Sequence, residues 1–539
     1  MELATNLLFY IIVPIAVGYI FRQITTEDGM PRVPWYITGL VIGVVCGIGN
    51  AILVSSGLLF GSGFHLDEVL GPFMGGLGTG LFIGIPNGLI TGYDMSRRRF
   101  TIIDGWLLVF KILILFVVIG GTVSSLAAPK YSGEQWLDFF VFGLAQGGIY
   151  ALIALGYTLV YGILFMINFA HGEVFMSGAF TAFFVAQAMA TPPAKGEPAF
   201  LDVYPFFGLI IVMLVAMVTS TVVAVTLERV AYRPLRRAPR LVPLITAIGA
   251  SFFLQYTFRG LYGSGVEAYP EIPSLKGSLL LGDFLLGVAI LIIAVVIGWL
   301  MVPLYRRLKK QWENTPSLRW APFPVTLVIL LLVLYFVTIP LQGVLINAVD
   351  GMVTLSPETM QKLDITVASE YPLPATRIQA VVIVASILLM VGLYYIVHYT
   401  KLGKAMRAVA EDKDVAALMG IDVDRIITMT FALGAVLAGA AGVLYALIFR
   451  QVHFFMGFIP GLKAFTAAVL GGIGNIPGAM LGGFFLGVFE SLGPSLFLEG
   501  LGIPAPYQLK DAIAFTMLVL VLIFRPTGIM GVELSKKKA

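Results

Sequence analysis

Asn168, His171 and Glu173 crowd one short stretch, Ile167-Asn-Phe-Ala-His-Gly-Glu173, set between the apolar Leu164-Phe-Met and Val174-Phe-Met. An amide, an imidazole and a carboxylate this close together could hold an ion or a polar substrate group. Such side chains are costly in lipid unless they face a bundle interior or a water-filled path. Two readings are open: a tight turn in which Asn168 caps the next helix, or a half-helix whose N-terminus faces a negatively charged substrate group. A second polar interruption, Gly474-Asn475-Ile476-Pro477, has an N-cap residue followed by a proline suited to a first helical turn. It reads either as a structural re-entrant hairpin or as an unwound segment offering backbone N–H groups to a carboxylate. Asn168, His171, Glu173 and Asn475 are therefore the candidate substrate-pathway residues. Lys463 and Glu490 flank the second interruption and are expected to snorkel toward an interface.

Other chemistry is missing from the sequence. There is no Gly-x-x-x-x-Gly-Lys-Ser/Thr, no His-Glu-x-x-His and no Gly-x-Ser-x-Gly, so neither phosphate-loop ATP hydrolysis nor the common hydrolase chemistries are expected. The single cysteine, Cys46, has no partner for a disulfide or a thiolate metal site, and the histidines are scattered. No catalytic residue, cofactor or metal site is expected, and nothing points to nucleic acid.

The elements that must position these residues are membrane helices. The chain has 539 residues, 58% hydrophobic and 12% charged, with a formal charge of +4; soluble domains carry about a quarter charged residues. Long apolar runs recur throughout, which fits helices rather than a barrel. The expected class is an all-α polytopic membrane protein with about thirteen transmembrane helices plus a broken re-entrant helix pair over Lys463–Glu490. The expected spans are Leu7–Phe21, Trp35–Leu58, Val69–Tyr93, Ile102–Val123, Phe142–Ile163, Val174–Ala190, Phe206–Leu227, Pro243–Tyr262, Leu281–Val302, Pro324–Ile339, Ile378–Val397, Ile426–Phe449 and Asp511–Phe524. With these spans, Arg97–Arg99, Arg229–Arg240, Arg306–Lys310, Lys401–Arg425 and Lys536–Lys538 all fall on one side. By the positive-inside rule that side is cytoplasmic, which puts the N-terminus in the periplasm and the C-terminus inside.

Shifts in composition divide the chain into blocks: an N-terminal four-helix extension over 1–130, a first core part over 131–269, an inserted hairpin of two helices over 270–372, and a second core part over 373–539. Gly76, Gly80, Gly84, Gly88 and Gly92 repeat every fourth residue, and Gly434, Ala438 and Gly442 and the pair Gly483/Gly487 form shorter stripes. Small residues at this spacing let helix backbones approach closely in lipid, so they read as packing surfaces.

Lys401–Arg425 is the densest run of charge. It reads as a helix over 404–419 ended by Gly420, with Ala405, Met406, Val409, Ala416 and Met419 along one side. It reads either as an ordinary solvated loop helix or as a docking element, and its length and apolar stripe argue for docking.

At this point a family resemblance emerges. The run Gly143–Leu164 leading into Ile167–Glu173 resembles the branched-chain amino-acid ABC transporter permeases of the high-affinity leucine type. So do Glu228-Arg-Val-Ala-Tyr-Arg-Pro-Leu235, Ala410-Glu-Asp with Leu418-Met-Gly-Ile-Asp422, the stretch Gly461–Met480, and Arg525-Pro-Thr-Gly-Ile-Met-Gly531. The resemblance covers roughly 136–268 and 373–532; the extension and the insert have no counterpart in the pattern. It implies an inner-membrane, multi-pass permease that forms half of a pathway with a related second permease. Two cytoplasmic ABC ATPase subunits would drive it, and a periplasmic binding protein would deliver an amino acid. The 404–419 helix would then be the coupling helix, with Arg407, Glu411, Asp412 and Gly420 at the contact. The older permease signature has Glu-Ala-Ala followed closely by Gly, whereas here Asp412 follows Glu411 and Gly420 comes later. The alternatives are a permease for urea or short amides, and an ion-coupled carrier working alone. The carrier would need intramembrane carboxylates, for which Glu173 and Glu490 are available.

Overall fold

The computed structural model describes residues 130–312 and 367–531, apart from 194–196, 237, 240, 525 and 526, together with 114, 117–125 and a few isolated positions. The expected spans before residue 102, the 324–339 span and the stripe Gly76, Gly80, Gly84 and Gly88 lie outside the described residues. The chain falls into two compact units: Met1–Lys130 with Pro494–Pro506, and Tyr131–Gly493 with Tyr507–Ala539. In the first, Ser125 Oγ donates to the Ser495 carbonyl at 2.8 Å and Lys130 pairs with Glu499 at 3.0 Å.

The second unit is helical, and its elements follow from local sequence. Helix α1 spans Gly133–Leu164. It opens on a capping box: Ser132 Oγ accepts from Gln135 N, and Gln135 Oε1 accepts from Ser132 N, an arrangement worth about 1 kcal/mol. Helix α2 is His171–Ala190, α3 is Pro205–Leu227 with proline at its start, and α4 is Leu241–Tyr262. A wide π turn over Glu228–Tyr232 and a tight turn over Arg233–Leu235 extend α3. Helix α5 is Leu281–Trp312 and α6 is Arg377–Tyr399, which begins on a second capping box formed by Thr376 and Gln379. Helices α7, Lys401–Glu411, and α8, Lys413–Leu418, precede α9, Val423–Phe449. Helices α10, Phe458–Gly471, α11, Ile476–Gly493, and α12, Lys510–Phe524, complete the unit. Short antiparallel strand pairs tie loops together: β1, Glu267–Ala268, pairs with β4, Gln451–Val452, while β2, Ser278–Leu280, pairs with β3, Pro372–Thr376.

Every expected span that lies among the described residues is helical. Seven helices there are long and apolar enough to cross a membrane, six of them α1, α2, α3 with its extension, α4, α6 and α9. The seventh is the run Ile476–Leu501 that begins with α11. The expected broken pair is present as two helices meeting at the break, of unequal length. The turn at Gly472–Asn475 separates α10, of 14 residues, from α11, of 18.

The core is built where small residues let backbones close. Helices α1 and α11 pack most extensively, and a Cβ on Gly147 would stand 2.8 Å from the Phe484 Cα. Gly434 lies against Gly156, where a Cβ would meet the Gly156 Cα at 3.1 Å, and Gly442 lies against Phe175 and Ala179.

Candidate functional site

The Asn168–Glu173 stretch is a turn into α2, and its polar groups go to three different partners. Asn168 does not cap α2, because Ala170 is the N-cap and makes no side-chain bond. Instead Asn168 Oδ1 accepts from the Tyr232 hydroxyl at 2.7 Å, fixing the turn to the end of α3. His171 is buried, stands edge-to-face with Tyr157 at 5.0 Å, and occupies space that only a glycine at position 156 leaves. Glu173 is 1% exposed. Its Oε1 accepts from Gln255 Nε2 at 2.6 Å and Ser251 Oγ at 3.3 Å, both on α4.

Beside this carboxylate is a cavity of about 250 Å³, lined by Tyr157, Ile248, Ser251, Phe252, Gly457 and Gly461 among others. Its walls come from α1, α4 and the start of α10. The approach is close because Gly172 and Gly461 face each other, and a Cβ on Gly172 would come within 3.2 Å of the Gly461 Cα. Ile248 and Phe252 lie on the exposed side of α4.

The second interruption does something else. Asn475 Oδ1 accepts from Gly478 N at 3.2 Å, so it does cap α11, and its Nδ2 donates to the Met530 carbonyl at 2.7 Å. Gly472 and Gly474 take positive φ to make the turn. Asn475 thus fastens the segment after α12, and neither it nor Met530 lines the cavity. None of the four candidate residues lines the cavity; Glu173 is bonded to Ser251, which does, while Asn168 and His171 serve the turn before it.

Lys463 and Glu490 do not snorkel. Lys463 Nζ lies 2.5 Å from Glu490 Oε1 and 2.6 Å from Asp511 Oδ1, and Gln146 Nε2 donates to Glu490 Oε1 at 2.9 Å. Both Lys463 and Glu490 are buried. The reason is the glycine stripe: Glu490 follows Gly487 by three residues, which puts it on the same face of α11, the one packed on α1. The sequence reading missed this cluster and the Ser251–Gln255 pair. Only the pair carried a local signal, since polar residues four apart in an apolar span share a helix face.

The charged segment is two helices rather than one. Asp412 is extended (φ −154°, ψ 116°) and its carboxylate accepts from Asp414 N and Val415 N, which ends α7 and starts α8. Met406 and Val409 on α7 and Ala416 on α8 are buried, whereas Leu418 is 87% exposed and Met419 78%; of the expected stripe, Met419 faces outward. Arg407 donates to the His398 carbonyl at 3.3 Å, and Gly420 takes φ 83° in the turn after α8. Arg233 and Arg236 pair with Asp424, and Arg236 also pairs with buried Glu228. The two charged loops are thereby joined.

The chain matches a family described as branched-chain amino acid transport system / permease component over residues 139–304 and 317–522. The match takes in much of the stretch set apart as an insert. BraD of Pseudomonas aeruginosa, a high-affinity branched-chain amino acid transport system permease protein, is 36% identical over 401 residues, covering 74% of this chain and 96% of BraD. LivH of Escherichia coli, with the same description, is 34% identical over 401 residues, 74% of this chain and 97% of LivH. A probable branched-chain amino acid transport permease of Methanocaldococcus jannaschii is 34% identical over 152 residues, 28% of this chain and 48% of its own length. No solved structure matches the chain. Apolar helices of spanning length, small-residue packing and agreement with BraD and LivH over nearly their whole length lead to one assignment: the chain is a multi-pass membrane permease and belongs to the branched-chain amino acid transport permease family.

Proposed function

We propose that this chain is one of two related permease subunits of an ATP-driven importer of branched-chain amino acids in the inner membrane. A periplasmic binding protein delivers the substrate, and two cytoplasmic ATPase subunits supply the energy. The N-terminus is periplasmic and the C-terminus cytoplasmic. The substrate class follows the printed names of BraD and LivH. The observation that carries the coupling role is α8, a helix capped by Asp412 that presents Leu418 and Met419 outward beside the joined basic loops. Exposed large apolar side chains at a helix end mark a place where another protein sits. A rigid-body motion of α7 and α8, tied to α9 through the short 419–422 turn, would pass ATPase closure on to the pathway. Arg407, Glu411, Asp412 and Gly420 shape this element, with Leu418 and Met419 as its contact tip.

Affinity purification of the tagged protein from its native membrane, compared with Leu418→Asp and Met419→Asp, tests the reading. An ATPase subunit should accompany the wild type and be lost or strongly reduced in the variants, and ATP should drive uptake of labelled leucine into liposomes. If no ATPase accompanies the wild type and an ion gradient alone drives uptake, the chain is a secondary carrier. If urea or a short amide is taken up in place of leucine, the substrate class is wrong.

A further inference from the structure

Glu173 is a buried carboxylate in the first turn of α2 that no basic side chain among the described residues pairs with. Its Oε1 is held by two neutral donors, and its Oε2 has no hydrogen-bond partner among the described residues. The ion pairs formed by those residues do not include it, and the buried Lys463 is committed to Glu490 and Asp511. Glu173 sits behind the cavity lining, and two of its neighbours belong to that lining: a Cβ on Gly457 would stand 2.8 Å from Oε2, and Gly457 lines the cavity. Ser251, the other contact of the carboxylate, lines it too.

The rest of the cavity wall is chiefly apolar and aromatic, from Tyr157, Ile248, Phe252 and Leu462. At about 250 Å³ it falls just below the roughly 300 Å³ at which sites for drug-sized ligands begin, which suits a single small molecule. Helix α10 starts at this wall, with Gly457 as its N-cap, and the positive partial charge there favours the Glu173 carboxylate beside it. An apolar wall with a carboxylate just behind it has two features that an apolar amine needs: room for its side chain and a counter-charge for its ammonium.

We propose that this cavity is the substrate site, in which Glu173 is the counter-charge for the primary ammonium of an apolar α-amino acid. The proposal rests on the importer reading above and assigns that substrate a location and an orientation. A simple carboxylic acid would meet Glu173 as a like charge and be repelled.

The test is binding of labelled L-leucine to the purified permease–ATPase complex, without the periplasmic protein, in phosphatidylcholine nanodiscs. The amine 3-methylbutylamine and the acid 4-methylpentanoate serve as competitors. The amine should compete, and the acid should be at least tenfold weaker. Glu173→Gln should weaken leucine binding at least tenfold and erase the difference between amine and acid, while copurification reports assembly. If Glu173→Gln fails to assemble, Ile248→Trp fills the cavity from the exposed side of α4 and should cost leucine at least tenfold. Unchanged affinity and competition in these variants would overturn the proposal. So would leucine binding that vanishes when phosphatidylethanolamine replaces phosphatidylcholine, since the ammonium partner would then be a lipid headgroup. A wild-type complex that transports no branched-chain amino acid would sink the importer reading itself. Leucine transport that survives Glu173→Gln intact would sink only the site.

Discussion

Two buried carboxylates in the same helical unit are handled in opposite ways. Glu490 on α11 is 2% exposed and meets a cation, Lys463, which also reaches Asp511 from the start of α12. Glu173 on α2 is 1% exposed and meets only the neutral Gln255 and Ser251. An isolated charge in a low-dielectric interior is expensive, and pairing recovers much of that cost only if both partners stay. The first carboxylate therefore belongs to the framework, joining α1, α10, α11 and α12 through charge. The second keeps one oxygen without a hydrogen-bond partner among the described residues, beside Gly457 of the cavity wall. The difference separates a polar residue that holds helices together from one that awaits a ligand, although both look alike in a hydropathy trace.

The largest effect expected from breaking this contrast is at Lys463. Lys463→Met strands Glu490 and Asp511 without a cation and should destabilise the protein by about 3–5 kcal/mol, read as a loss of monodisperse protein and a lower Tm in detergent. Adding Glu490→Gln to Lys463→Met should recover much of that loss, because the buried charge goes with its partner. If the double variant is no better than the single, the cluster is not held by charge pairing.

A smaller loss is expected where the pair is half open to water. Arg236 bridges Glu228 and Asp424, and Glu228 keeps a second contact, accepting from Thr428 Oγ1 at 2.8 Å. Arg236→Ala should cost about 2 kcal/mol, measurable by the same melt, and should loosen ATPase copurification because it unties the loop before α4 from α9. Normal copurification would show that the two loops move independently.

How far the sequence allowed these distinctions depends on the kind of signal. Span positions in the described residues were legible because an apolar run of twenty residues is a strong, local cue; the cap at Asn475 was legible for the same reason, as one residue and its next turn decide it. The fate of Glu490 was less so. Its burial follows from the Gly483/Gly487 stripe only if one already knows that α1, with Gly143 and Gly147, is the helix that fills the stripe. The break at Asp412 was hidden because Asp tolerates a helix surface, and only its extended backbone and two accepted N–H bonds reveal a cap. For Glu173, the residue type was visible but its partners were not: Ser251 and Gln255 lie far along the chain, and no local pattern says which polar pair a buried carboxylate will meet.

Tyr232→Phe is a milder probe, aimed at the turn behind the open carboxylate. It removes the donor to buried Asn168 and should cost about 1 kcal/mol. Leucine affinity should change less than threefold, since Asn168 and Tyr232 do not line the cavity. A loss of binding as large as that expected for Glu173→Gln would move Asn168 from the turn into the substrate site.

The smallest expected effect on stability is the most informative. Glu173→Gln keeps the volume and the acceptor that Gln255 and Ser251 use, and it removes a charge that no basic side chain among the described residues pairs with. The loss of a few hydrogen-bond tenths and the gain from discarding a buried charge oppose each other, so the unliganded melt should shift by less than about 1 kcal/mol in either direction. The liganded melt should diverge. A ligand that binds only the folded protein adds about 2.7 kcal/mol at a hundred times its Kd and about 1.4 kcal/mol at ten times, so leucine at a hundred times the wild-type Kd should raise the Glu173→Gln melt by no more than about half as much as the wild type's. If instead Glu173→Gln falls apart as Lys463→Met does, the Glu173 charge is structural, and the contrast between the two carboxylates disappears.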